Sequence, residues 1–309
     1  AGNSLADVAT GDIIEVDNAD PLATVNRSVN PIFTGALIQT VTVSYTEAMN
    51  AGTSPVITLT GTHWETQADV GWSTVTYAND RFTATFTHDG TAEYIASETA
   101  SVANASGAKD PTGNDEIGDG SPSFLVDTQI PLVTNGNISV SITTDNGTAG
   151  IAGIGDVITV TWDNSAVGGN NADIAGSPVA NLSEFGGGAS QNLFDNGTNG
   201  DTTGSDNIWS YAYTVVSGNI DMANRNAAVT AMDNAGNTSG AVSDTSNINV
   251  DNEPLRLLSA NGTNSGIADL FNATGDALNL VFTDAVKAAP SEAHSETDFI
   301  FSSSTTDSN

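Results

Sequence analysis

Asp233–Pro254 reads DNAGNTSGAVSDTSNINVDNEP, and a related stretch stands at Asp110–Pro131 as DPTGNDEIGDGSPSFLVDTQIP. A third version, AGNSLADVATGDIIEVDNADP, fills Ala1–Pro21 and enters at the second half of the opening turn. From glycine to aspartate the separation is 15 residues in the first (Gly2 to Asp17), 14 in the second (Gly113 to Asp127) and 15 in the third (Gly236 to Asp251). The two later versions open on turn chemistry. An Asp side chain bonds backbone two residues on, and Gly accepts a positive φ without steric cost. Each version closes on a short apolar strand ending in Val-Asp, with a proline soon after. A motif recurring at this spacing marks a repeat architecture.

Working outward, a strand ending in an aromatic and then an acid follows each Val-Asp: VTVSYTE at Val41–Glu47, ITVTWD at Ile158–Asp163 and LNLVFTD at Leu278–Asp284. Apolar residues alternate within each, and again at Phe82, Ala84 and Phe86 and at Trp209, Tyr211, Tyr213 and Val215. Period two puts one face in a core and the other in water. Short strands between Gly, Asn, Asp and Pro clusters, with no helical stripe beyond a short turn after Pro290, predict an all-β chain of sandwiches. The Val-Asp positions divide it. Residues 1–16 are expected to be the last strand of a preceding or partner-completed repeat. Residues 17–126 and 127–250 are expected to be one sandwich each, close to the ~100 residues of immunoglobulin-type domains. A Gly- and Asn-rich insert at 186–207 sits in the second, and 251–309 begins a further domain. On this reading Ala1 lies inside a repeat that starts upstream.

Composition narrows the function. Across 309 residues, 37 Asp and Glu stand against 6 Lys and Arg, for a net charge of -31. Such a chain repels phosphate backbones and anionic membrane surfaces, which excludes nucleic acid and lipid headgroups as partners and makes cations the natural ones. There is no cysteine, hence no disulfide, thiolate zinc site or cysteine nucleophile. No apolar stretch approaches the ~18 residues of a membrane span.

The DxxGN turn followed by VDxxxP resembles the tandem bacterial-type immunoglobulin-like repeats of prokaryotic surface-layer (S-layer) proteins and giant surface adhesins. The resemblance runs along the whole chain, although Asp251 to Pro254 is one residue shorter than Asp17 to Pro21 and Trp162–Asp163 lacks an intervening Thr. It implies an extracellular, non-enzymatic cell-surface architecture of rods or lattices, often stiffened by Ca²⁺. The expected partners are copies of the chain or neighbouring repeats.

Calcium takes oxygen ligands and tolerates irregular geometry, and the junctions concentrate carboxylates. The expected sets are Asp110 and Asp127 with Asp163, Asp233 and Asp251 with Asp284, and Asp17 with Glu47. The competing reading is that these aspartates close turns, end strands and hold hydration. In the insert, Asp195, Asn199, Gly200 and Asp206 fall at four positions of an EF-hand-like loop, but Gly197 offers no side-chain ligand at a fifth. Trp64, Trp72 and Tyr77 are candidates for stacking on sugars in a carbohydrate-binding module, against the alternative that they pack a core. Ile13, Ile14 and Val16 are candidates for strand donation between subunits of an extracellular filament. Nine N-x-S/T sequons are about what this Asn, Ser and Thr content supplies by chance. His63, His88 and His294 are scattered along the chain, and no HExxH, GxSxG or phosphate loop occurs, so no enzyme is expected.

Overall fold

The computed structural model describes residues 16–165, 170–263 and 277–283. Among them the chain is all-β, with two single-turn 3₁₀ segments at Asn135–Asn137 and Ser183–Phe185. In the first repeat, Ala23–Arg27, Ile38–Tyr45, Arg81–Thr87 and Ala68–Ser73 form an antiparallel sheet in that order. Val43 stands opposite both Val25 and Phe82, and Val41, Val43, Tyr45, Phe82, Ala84 and Phe86 turn inward. The alternation in the sequence is therefore the buried face. It is interrupted by Gln39, fully buried at the start of its strand. Its Oε1 accepts the N–H groups of Ser28 and Val29 and its Nε2 donates to the Val29 carbonyl, so no polar atom is stranded.

Against this sheet lie Ile57–Leu59, Ala100–Val102 and Asp119–Gly120, and the pair Tyr94–Glu98 with Phe124–Asp127. Val25, Val41, Val43, Phe82, Val102 and Ala108 belong to one apolar cluster, and Ile32, Phe124 and Val126 make a smaller one.

The second repeat carries Ile138–Thr144, Val157–Asp163 and Ile208–Thr214 in one sheet, with Trp162 opposite Trp209. Ser210 is buried on the last strand while Trp209, Tyr211 and Tyr213 are partly buried against the same core. A second sheet joins Gln191–Asn192, Val179–Asn181, Ala228–Thr230 and Val242–Ser243. The polar insert contributes to the core: between Gly186 and Asn207 it buries Leu193 completely, because a Leu-Phe pair within the polar run supplies an apolar anchor.

The two repeats share one parallel contact. Ile32 pairs with Val126 just before Asp127, and Ile151–Gly153 pair with Asn249–Asp251, setting Ala152 opposite Val250. In the start of the third repeat, Leu257–Thr263 pairs with Ala277–Phe282. Ile13, Ile14, Asp284 and the expected turn after Pro290 lie outside the described residues, and Val16 is exposed.

Candidate metal centres at the repeat junctions

The DxxGN turns are built alike. Asp233 Oδ1 accepts the N–H groups of Ala235, Gly236 and Asn237 at 2.8–2.9 Å, and Oδ2 accepts Asn237 Nδ2 at 2.8 Å. Asp110 Oδ1 accepts those of Thr112, Gly113 and Asn114 at 2.6–2.9 Å, and Oδ2 accepts Asn114 Nδ2 at 2.7 Å. Gly236 and Gly113 take φ of 102° and 99°, the left-handed geometry that lets the backbone amides converge on one carboxylate. The Asn amide then reaches the Val-Asp residue that opens its own repeat. Asn237 Nδ2 donates to the Asp127 carbonyl at 2.8 Å, and Asn114 Nδ2 to that of Asp17 at 3.4 Å.

That contact corrects the expected grouping. Each turn folds back to the start of its own repeat rather than forward to the next, so Asp110 joins Asp17 and Glu47, and Asp233 joins Asp127. The third member of the second group is Asp173, not Asp163. The reason lies in the loop after the strand. Asn164 and Asn171 bond side chain to backbone in both directions, and Asn234 N–H donates to the Asp173 carbonyl, which brings Asp173 to the turn. Asp163 instead accepts from the N–H and hydroxyl of Ser165. Within each group one carboxylate oxygen from each residue lies within 4.8 Å of those of the others. Asp251 lines a cavity of about 290 Å³ with Asp156 and Glu253.

Electrostatics reflect the crowding. Burial pushes the Asp127 carboxyl up, and Asp233 and Asp173 add to the rise despite an opposing N–H from Gln129. Glu47 is pushed up by burial and then by Asp17, Asp110 and Asp20. Asp110 moves the other way: burial raises it, but bonds from Asn114, Thr112 and Gly113 outweigh that and hold it below the ordinary range. Among the described residues no Lys or Arg pairs with either group; Lys109, Arg225 and Arg256 pair instead with Asp115, Glu184 and Glu253. Three convergent carboxylates without a protein counter-charge are a donor set that suits a hard divalent cation.

In the insert, Asp195 and Asp206 do approach, but the third carboxylate is Asp201 rather than the side chain of Asn199. Asp195 already accepts the N–H groups of Asp206 and Asn207, and Asp201 that of Gly197.

The aromatic candidates separate. Trp72 donates to the Thr53 carbonyl and meets Phe82 edge-on, while Trp64 donates to buried Glu98 and stands between His88 and Phe124. Tyr77 is exposed. A constellation that spacing did not reveal joins His63 and His88 through Glu93. His88 Nε2 lies 2.6 Å from Glu93 and His63 Nε2 3.8 Å, while Asp89 accepts His63 Nδ1. Gly90 N–H donates to His88 Nδ1, so His88 carries its proton on Nε2. The Glu93 backbone in turn grips Thr128, next to Asp127, through two hydrogen bonds.

No protein-family model matches the sequence. No curated protein matches it. Among solved structures, the crystal structure of the N-terminal part of the bacterial S-layer protein SbsC aligns with 15% identity and a TM-score of 0.21. The alignment covers 75% of this chain and 44% of that one. A TM-score that low does not equate the two folds.

Proposed function

We propose that the chain is a structural segment of an extracellular surface protein, an S-layer, stalk or adhesin, in which immunoglobulin-like sandwiches follow one another without catalytic chemistry. Each joint is stiffened by Ca²⁺ held at the Val-Asp position. The observation that supports this most directly is Asn237. Its Nδ2 holds the Asp127 carbonyl and its Oδ1 accepts the Thr34 N–H at 2.8 Å, so one buried side chain ties the two repeats where Asp127, Asp173 and Asp233 converge.

Calcium would be held there by these three carboxylates, and by Asp17, Glu47 and Asp110 at the preceding joint, with carbonyls and water completing about six to eight oxygens. The ion supplies a positive charge that offsets the mutual repulsion of the carboxylates. The residues of the chain set the position: the turn fixes Asp233, the last strand fixes Asp127, and the Asn164–Asn171 clasp fixes Asp173. Thermal unfolding in millimolar calcium and in EDTA, with small-angle scattering for length, tests the proposal. A higher Tm with a longer particle in calcium, lost in Asp173→Asn, is the expected result. The same Tm and length in both conditions would remove calcium from the joint.

A further inference from the structure

The joint at Asp127 has two halves, and the structure contains one of them twice. One half is a loop of the first repeat. Ile32 N–H donates to the Leu125 carbonyl and Asp127 N–H to the Ile32 carbonyl, each at 2.9 Å, so the last strand fixes the loop where one repeat ends. Phe33 and Thr34 follow. The other half is the turn of the second repeat. Thr34 N–H donates to Asn237 Oδ1, and the Phe33 ring lies 3.3 Å from where a Cβ on Gly236 would stand. Ala235 and Asn237 are buried there.

The first repeat carries the same turn in the same conformation, but facing outward. Pro111, Thr112 and Gly113 are exposed, and nothing stands within 4 Å of a Cβ placed on Gly113. Among the described residues no donor reaches Asn114 Oδ1, although Asn114 Nδ2 makes the same contacts to its turn aspartate and to its Val-Asp carbonyl as Asn237 does.

We infer that the Asp110–Asn114 turn is a docking surface for a preceding repeat of the same kind. The partner is a sandwich whose last strand runs into Asp17 as Phe124–Val126 runs into Asp127. It presents an apolar ring to Gly113 and a backbone N–H to Asn114 Oδ1. Ile14–Val16 supply such a strand in sequence. The other end of the described chain is consistent with one repeating joint. Ala152 pairs with Val250 as Ile32 pairs with Val126, so Ile154 occupies the place of Thr34, beside the cavity at Asp251. This inference rests on the tandem reading above and specifies its contact.

The test extends the full chain at its N-terminus with a copy of residues 18–123, so that Ile14–Val16 complete the added repeat and residues 1–13 form a longer loop, a change that loop-closure entropy tolerates. Amide hydrogen exchange is read at both Thr34 positions. Both are expected to be protected, and Gly113→Asn, made in the original repeat only and with a residue that accepts positive φ, should speed exchange about tenfold at the added Thr34 alone. Protection at the native Thr34, lost in Asn237→Ala, with none at the added one in a folded added repeat, overturns the docking surface and leaves the tandem reading standing. If the added repeat is unfolded, as its own strand amides report, Ile14–Val16 do not complete it and the inference falls. Absence of protection at the native Thr34 would instead count against the joint itself.

Discussion

The turns at Asp110–Asn114 and Asp233–Asn237 share a motif, a positive-φ glycine and the same converging hydrogen bonds, yet Asn237 is fully buried and Asn114 only half so. The conformation is therefore local, written in the Asp, Gly and Asn, whereas the burial is contributed by the neighbouring repeat. This separates what each residue does for its own repeat from what it does for the joint. Paired substitutions at equivalent positions measure the difference.

The largest effect is expected at the aspartates. Asp233→Ala strips three backbone N–H groups of their acceptor, in a turn shielded from water at Ala235 and Asn237, and should cost about 3 kcal/mol in urea unfolding. Asp110→Ala removes the same bonds where Thr112 and Gly113 are open to water, so about half that loss is expected. Equal losses would mean that the joint does not shield the turn.

Next come the asparagines. Asn237→Ala breaks the links to both Asp127 and Thr34 and should cost about 2 kcal/mol, whereas Asn114→Ala should cost about 1 kcal/mol. The Thr34 amide should exchange faster only in the first variant. A Thr34 exchange rate insensitive to Asn237 would deny that the bond forms in solution.

Glycine gives a smaller contrast. Ala at either Gly113 or Gly236 incurs the strain of positive φ, about 1 kcal/mol. Only at Gly236 does the new methyl also press on Phe33, so Gly236→Ala should exceed Gly113→Ala by several tenths of a kcal/mol or more. Identical Tm shifts would show that the ring moves aside freely.

Much of this was legible in the sequence, and the parts that were not share a cause. Alternation at Val41, Val43 and Tyr45 and at Phe82, Ala84 and Phe86 is enough to set the buried face, because a strand has only two faces. The DxxGN and Val-Asp motifs located both acidic groups. Which aspartate meets which was not legible, since Asp110 is sequentially near Asp127 but spatially beside Asp17, and strand order across a sandwich decides that. Asp173 has no motif of its own; it arrives through the clasp of Asn164 on Asn171. Nor does pattern announce a polar residue that belongs inside. Glu116 is buried, accepting from the Tyr45 hydroxyl, the Ser106 hydroxyl and the Ala108 N–H. Asp80 is buried beneath the amides of Val75, Thr76 and Tyr77. Part of the acid excess is thus structural, closing turns from within rather than holding water.

The response to pH sets the junction group against the histidine pair. The Asp127 carboxyl is raised by burial and by its acidic neighbours, so in EDTA its proton is held more tightly folded than unfolded. Its contribution is present below the ordinary carboxylate value and is lost as pH climbs through the raised one. Calcium held there would reverse the trend, because it binds the ionised form. The Tm of the chain relative to Asp127→Asn should therefore fall from acid to neutral pH in EDTA and rise in calcium, and parallel curves in the two conditions would sink the junction site. His63 acts at higher pH and more weakly, being partly exposed. The bond to Asp89 raises its imidazole, with burial opposing and the charges of Asp89 and Glu93 assisting. Its contribution is complete below the ordinary imidazole value and disappears as pH rises through the elevated one. A small loss of Tm between slightly acidic and slightly alkaline pH is expected, absent in His63→Gln. A His63 titration midpoint at or below the ordinary value by NMR would show that Asp89 does not hold it, and the clasp from Glu93 to Thr128 would then owe nothing to that charge.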